Sequence, residues 1–187
     1  MPESEKELID RAQSGNPDAF GRLYEAYIDR VYAFVFWKTQ HRETAEDITA
    51  KAFTKALEHI GSLKAEEGSF RPWIYTIARN VVIDHYRTKR SHVDIDDAWD
   101  IAGDDDVERD ADLRLRLAKV QQYLKDLDAV QRDVVLLRVW GDLPYADIAQ
   151  IVGKRADHCK VIFSRVVAKM RADLIVLLAL GLMRLYS

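Results

Sequence analysis

Apolar residues recur along most of the chain at intervals of three and four, the spacing that lines one face of a helix. Residues 4–14 predict a short helix with Ser4 as N-cap and Glu7 at the capping-box position, ended by Gly15, Asn16 and Pro17. A long helix from Asp18 follows, with Phe20, Leu23, Tyr24, Tyr27, Ile28, Val31, Phe34 and Val35 on its core side. After a polar break at 40–43, a third helix over 44–60 turns Ala45, Ile48, Ala52, Phe53, Ala56, Leu57 and Ile60 inward. Its Glu46, Asp47, Lys51, Lys55 and Glu58 face out, and Asp47 and Lys51 have the i,i+4 spacing of an ion pair. A small polar loop at 61–69 leads into a fourth helix over 70–90, FRPWIYTIARNVVIDHYRTKR. There the period places Trp73, Ile74, Ile77, Ala78, Val81 and Val82 on the core side, with Tyr86 at its edge. Arg71, Tyr75, Arg79, Asn80, Asp84, Arg87 and Lys89 fall on the other side.

Residues 91–112 show no helical stripe of useful length and predict a flexible linker, with Val93, Ile95, Trp99 and Ile101 as apolar anchors. Helical spacing then resumes. Leu113, Leu117, Val120, Leu124 and Leu127 form one stripe. Val130, Val134, Val135, Leu136, Leu137 and Trp140 form a second helix that ends at Gly141. Pro144 opens a short helix and Gly153 closes it; after a tight turn a last helix faces Cys159, Ile162, Phe163, Val166, Val167 and Met170 inward. Helix, short glycine turn and basic amphipathic helix make a helix-turn-helix pattern.

The chain therefore reads as all-α: a helical domain over 1–90, a linker over 91–112, a second helical domain over 113–173 and an extension over 174–187. Eight Gly and four Pro among 187 residues, with no alternating apolar runs, argue against a sheet. A single cysteine, Cys159, rules out an internal disulfide framework and fits a reducing cytosol. The charged N-terminus lacks the apolar core of a signal peptide, so the expected location is cytoplasmic.

Charge changes the picture. The total is only −3, yet residues 70–90 hold five Arg or Lys against Asp84. Residues 91–112 hold ten acids against Arg109, and residues 153–173 hold six bases against two acids. Two basic helical modules flanking an acidic linker suit nucleic acid, where cations meet phosphates, rings stack on bases and amides read base edges. No nucleophile with a base, no paired carboxylates in a pocket-like setting and no phosphate loop stands out, so the chain does not read as an enzyme. The Asp-rich run lacks the ligand spacing of an EF-hand, and His41, His59, His85 and His92 are scattered. His158 and Cys159, neighbours on a helix, point about 100° apart and cannot easily share a ligand. The reading includes neither metal nor cofactor.

AEDITAKAFTKALEHI, FRPWIYTIARNVVIDHYRTKR and LDAVQRDVVLLRVWGDLPYADIAQIVG, in this order, resemble bacterial sigma factors of the extracytoplasmic-function class. The resemblance covers roughly residues 10–90 and 113–172. It implies that the first domain docks on core RNA polymerase through Glu46, Asp47 and Lys51, with Asp47 the residue most like the family's contact acid. It implies that the first domain melts the −10 promoter element, the loop 61–69 receiving an extruded base. Ser62, Lys64, Trp73, Tyr75, Arg79, Asn80, Arg87, Lys89 and Arg90 would hold the melted strand, so Trp73, placed in the core by periodicity, is placed on DNA by resemblance. The second domain would lay its last helix in the major groove of the −35 element, with Arg155, His158, Lys160, Val161, Ser164, Arg165 and Lys169 in contact. Val161 would meet a thymine methyl. The chain departs from the family here: where a run like TVKSRLHRARKKL is usual, it has HCKVIFSRVVAKM, with Ile162 and Val167 in place of two arginines. Phosphate affinity should be lower for it.

Promoter DNA and core RNA polymerase are thus the expected partners, with an anti-sigma protein as a third. The run LIVLLALGLM at 174–183 is apolar throughout. Ten helical residues reach only about 15 Å, too short for stable membrane insertion. The favoured expectation is a helix extension buried against its own domain; the sharper one is a docking or restraining element. The alternatives to a sigma factor are a dimeric helix-turn-helix regulator working without polymerase, and a sigma-like adaptor that no longer binds DNA.

Overall fold

The computed structural model describes the backbone over residues 3–63, 69–90 and 111–185, and side chains over 3–63, 69–88 and 118–172. The described residues contain eight α-helices and no strand. They form two compact units, the first four helices in one and the last four in the other.

In the first unit, α1 (Glu5–Gln13) starts with the expected capping box: the Ser4 hydroxyl accepts from the Glu7 N–H at 3.3 Å, and the Glu7 carboxylate accepts from the Ser4 N–H at 2.7 Å. The Ser4 N–H, and the Ser4 hydroxyl that also donates to the carboxylate at 2.9 Å, hold the Glu7 carboxyl below its ordinary value. α2 (Pro17–Thr39) begins with Asn16 accepting from the Ala19 N–H at 3.0 Å, and Pro17 occupies the first turn, where a missing N–H costs nothing. It ends on Gln40 in the left-handed region at φ 54°, an uncommon choice for a non-glycine residue. α3 (Arg42–His59) starts two residues before the sequence pattern suggested, because His41 acts as N-cap, its Nδ1 accepting from the Thr44 N–H at 3.2 Å. A 3₁₀ turn (Ile60–Ser62) follows, and α4 (Phe70–Arg90) completes the unit.

The core of this unit is aromatic. Phe70 is fully buried, edge-on to Phe20 at 6.3 Å and 5.5 Å from Tyr27, while Phe34 meets Tyr75 edge-on at 5.4 Å. Most of the predicted inward positions are buried. Tyr24 and Leu57 are not: they remain 41% and 53% exposed, the Tyr24 ring lying against that of Phe53, 4.8 Å away.

In the second unit, α5 (Ala111–Asp126) begins two residues inside the predicted linker. The rest of that linker, with its four apolar anchors, falls outside the described residues. Asp128 caps α6 (Ala129–Val139), accepting from the N–H groups of Val130 and Gln131 at 2.9 Å each. Arg132 reaches back to close α5, donating to the carbonyls of Leu124, Lys125 and Leu127 at 2.7, 3.0 and 2.9 Å. Those are orphan acceptors of a helix C-terminus, which otherwise need water or a cap. α7 (Tyr145–Val152) starts after Pro144 and stops at Gly153, whose φ of 67° suits glycine. Two further residues turn the chain into α8 (Ala156–Leu185). The helix-turn-helix is therefore present as expected, and its last helix continues through the apolar extension. The burial expected for that extension concerns side chains outside the described residues.

Candidate nucleic-acid interface

The position of α4 is fixed at its start. Glu5 of α1 accepts from the Phe70 N–H at 3.0 Å and also from the Tyr27 hydroxyl, so a carboxylate from one helix caps another while holding a buried phenol. Burial first, then the Glu5 hydrogen bond, pushes the Tyr27 phenol up to about 12. Arg71, hydrogen-bonded to Tyr27, has its guanidinium held above its ordinary value. The other side of the site is fixed from α1 as well. The Gln13 amide donates to the carbonyls of Ile60 at 2.9 Å and Leu63 at 2.5 Å, pinning the 3₁₀ turn that precedes the polar loop.

Between these two fixed ends lies a shallow cavity of about 320 Å³, lined by Lys55, His59, Ser62, Trp73, Ile77, Asn80 and Val81. Three of the expected −10 residues, Ser62, Trp73 and Asn80, meet there. The cavity has an apolar floor, one indole ring and a rim of donors, which is the inventory an unstacked base requires. Lys55 and His59 were assigned no role from sequence. They sit one turn apart on α3, and their outward i,i+4 register just before the loop was the available signal.

Tyr75 is a correction. Expected on the DNA face, it is 0% exposed, and its hydroxyl has no hydrogen-bond partner. Counting about 100° per residue, Tyr75 lies about 140° round the helix from Asn80 and only about 20° beyond Val82, at the edge of the arc of Ile74, Ala78 and Val82. The period set it on the outer side with Arg71 and Arg79, but the core arc reaches round to it, where its ring packs edge-on against Phe34. Burial pushes its phenol well above the ordinary value. Trp73 shows the reverse: the periodicity put it in the core, yet it is only half-buried and forms a wall of the cavity.

Of the remaining expected −10 residues, Arg79 is half-buried and Arg87 is exposed, its guanidinium 3.1 Å from Asp84. Lys64 lies outside the described residues; Lys89 and Arg90 belong to the last turn of α4, but their side chains do too. The expected polymerase contacts share the exposed face of α3. Glu46 pairs with Arg42 at 3.1 Å and Asp47 with Lys51 at 3.8 Å, the latter as its spacing predicted. Such exposed pairs hold side chains loosely, contributing at most about 1 kcal/mol each, and leave them open to a partner.

In the second unit, Arg155 in the turn before α8 and His158, Lys160, Val161, Ser164, Arg165 and Lys169 on it are all exposed. Arg155 lies 3.6 Å from Asp157, and the Lys169 ammonium sits 6.0 Å from the Tyr123 ring centre. Cys159 is fully buried, its thiol raised by that burial and so kept neutral. Ile162 and Val167 are half-buried, as the inner-face reading expected. Phe163 meets Tyr145 edge-on at 6.2 Å, and the Tyr123 hydroxyl donates to the Val166 carbonyl at 3.2 Å, so α8 is held from both α7 and α5.

Among the described residues no group of His, Cys, Asp or Glu could hold a metal ion, and no helix is long and apolar enough to cross a membrane.

Comparison with known proteins bears on both units. Residues 23–92 match the family described as Sigma-70 region 2, and residues 117–170 match Sigma-70, region 4. The chain is 35% identical to the ECF RNA polymerase sigma factor BldN of Streptomyces coelicolor over 86% of its own length, and spans 62% of BldN. It is 32% identical to the ECF RNA polymerase sigma factor SigC of Mycobacterium tuberculosis, across 76% of each protein. The structure of CnrH in complex with the cytosolic domain of CnrY is similar in fold, at a TM-score of 0.70 and 22% identity, covering 93% of this chain and 99% of that one. With both sigma regions matched in order and the SigC likeness extending over three quarters of each sequence, the chain belongs to the extracytoplasmic-function class of bacterial RNA polymerase sigma factors.

Proposed function

We propose that this chain binds core RNA polymerase and directs it to promoters as a transcription initiation factor, working in the cytoplasm without catalytic activity of its own. The exposed acidic face of α3, with Glu46 and Asp47, docks on the polymerase. α4 and the cavity beside it melt and hold the −10 element, and α8 reads the −35 element in the major groove. The observation that carries the reading is the cavity. It joins a half-buried indole, an amide, a hydroxyl, an imidazole and an ammonium beside the first half of a basic helix. Trp73 offers the ring on which an extruded base stacks, Asn80 and His59 offer donors and acceptors to its edge, and Lys55 offers charge to the adjoining phosphate. An independent regulator that binds duplex operators has no use for such a recess.

On α8, Lys160 and Arg165 meet phosphates while His158, Val161 and Ser164 face base edges. With Ile162 and Val167 in place of arginines, fewer phosphates are neutralised, so promoter affinity should depend less steeply on salt than for a sigma factor that keeps both. An anti-sigma protein that covers the α3 and α4 faces would hold the factor inactive. Run-off transcription with purified core polymerase on pooled genomic promoter fragments tests the proposal. Discrete start sites that appear only with this protein are the expected result. Failure to bind core at all would overturn it.

A further inference from the structure

Five large hydrophobic side chains are exposed among the described residues, and on α4 the one is Ile83, 42% exposed. Its surroundings make that placement informative. Counting about 100° per residue, Ile83 lies midway between Arg79 and Arg87 on the helix surface, about 60° from Asn80 and about 20° from Thr76. Every neighbour on that arc carries a hydrogen-bonding or charged group, and Arg87 is steadied by Asp84 at 3.1 Å. The aliphatic side chain thus stands in the centre of the cationic face, away from the core arc of Ile74, Ala78 and Val82. Three residues beyond Asn80, it is displaced about 4.5 Å along the helix axis from the rim of the base-sized cavity. That is close to one base step, about 3.4 Å per nucleotide along a strand.

An isoleucine offers nothing to a phosphate. What it can cover is the apolar face of a base ring, and side chains of its kind are used as wedges between base steps. On the proposed sigma-factor reading, on which this inference rests, we infer that Ile83 is such a wedge. When the base beside the cavity is extruded, the neighbouring base loses its stacking partner. Ile83 then lies against the uncovered ring face, marking the border between paired and melted DNA and stabilising the opened state relative to the closed duplex. Arg79 and Arg87, on either side, hold the backbone so that the ring meets the aliphatic group.

The test uses the full chain with core polymerase on a promoter that the wild-type protein opens, with 2-aminopurine placed in the −10 element. Fluorescence then reports unstacking. Ile83→Ala should lower the open-complex equilibrium about tenfold, whereas Ile83→Leu should stay near wild type. Binding to core and the thermal unfolding midpoint should not change. A template carrying a preformed bubble over the −10 element should restore Ile83→Ala to wild-type transcription, because the strand separation that the wedge favours is already made. Equal opening of the duplex by wild type and Ile83→Ala would overturn the wedge. So would a deficit that persists on the bubble template, or weaker binding to core, since either makes Ile83 a protein contact. A wild-type protein that yields no open complex on any promoter would overturn the sigma-factor reading itself, a result distinguishable from failure of the variant alone.

Discussion

Replacing Tyr75 with phenylalanine separates the two roles an aromatic residue on α4 can have. The side chain is 0% exposed, packs edge-on against Phe34 at 5.4 Å and leaves its hydroxyl without a partner. A buried hydroxyl lacking a hydrogen bond costs roughly 1–3 kcal/mol, whereas the ring itself contributes favourable packing. Tyr75→Phe keeps the ring and its volume and removes the penalised atom. The unfolding free energy of the first unit should therefore rise by about 1 kcal/mol. In a unit of this size that corresponds to an increase in midpoint of about 4–8 °C. Urea and thermal unfolding followed by circular dichroism measure it, with the first unit's transition read separately from the second's. Promoter opening should be unchanged, because the side chain does not reach the surface of α4 proposed to hold DNA. A loss of stability above about 1 kcal/mol would mean that the hydroxyl makes a hydrogen bond. A loss of promoter opening at unchanged stability would mean that Tyr75 leaves the core to stack on a base. Either result would refute the reasoning.

Other perturbations follow from the same contacts. Tyr27, raised to about 12 from the ordinary 10, contributes stability that is complete below pH 10 and is lost as the pH climbs towards 12. Alkaline unfolding of wild type and Tyr27→Phe should differ in that window, the variant showing the shallower fall. Gln13→Ala removes two hydrogen bonds to the carbonyls of Ile60 and Leu63 and should cost about 1–2 kcal/mol in thermal unfolding. It should also weaken binding of single-stranded −10 DNA by the holoenzyme, since the turn that carries Ser62 is released. Arg132→Ala leaves three carbonyls at the end of α5 without their donor and should destabilise the second unit by about 2–3 kcal/mol in urea unfolding, with the first unit unaffected.

Much of the fold was legible because helices announce themselves twice, through spacing and through their ends. The Ser4–Glu7 box, Pro17 and Gly153 marked boundaries that the structure keeps, and the three- and four-residue stripes gave most of the core. His41 was harder to read, since imidazole is a less common cap than serine or asparagine and nothing in its composition sets it apart. The exposed arc of α8 was legible for the same reason as the core: one helix, one period. The face of α4 was read less well because the period was divided a little off its true boundary, which set Tyr75 outside and Trp73 inside. Tyr75 and Trp73 are two positions apart on one helix, and chemistry alone treats them alike. The 200° between them puts one in the core and the other at the cavity. Lys55 and His59 were missed because the cavity is a tertiary feature. It exists only once Gln13 has pinned the turn after α3 and Glu5 has fixed the start of α4, and those are contacts across 47 and 65 residues of sequence.

The most direct test of the account is permanganate mapping of unpaired thymines on a promoter bound by core polymerase with this protein. The account predicts reactive thymines in the −10 element with the wild-type protein. It predicts none with core alone, and a strong loss with a Trp73→Ala, Asn80→Ala double variant that still binds core. A wild-type protein that binds core stably yet leaves every promoter thymine unreactive would contradict it.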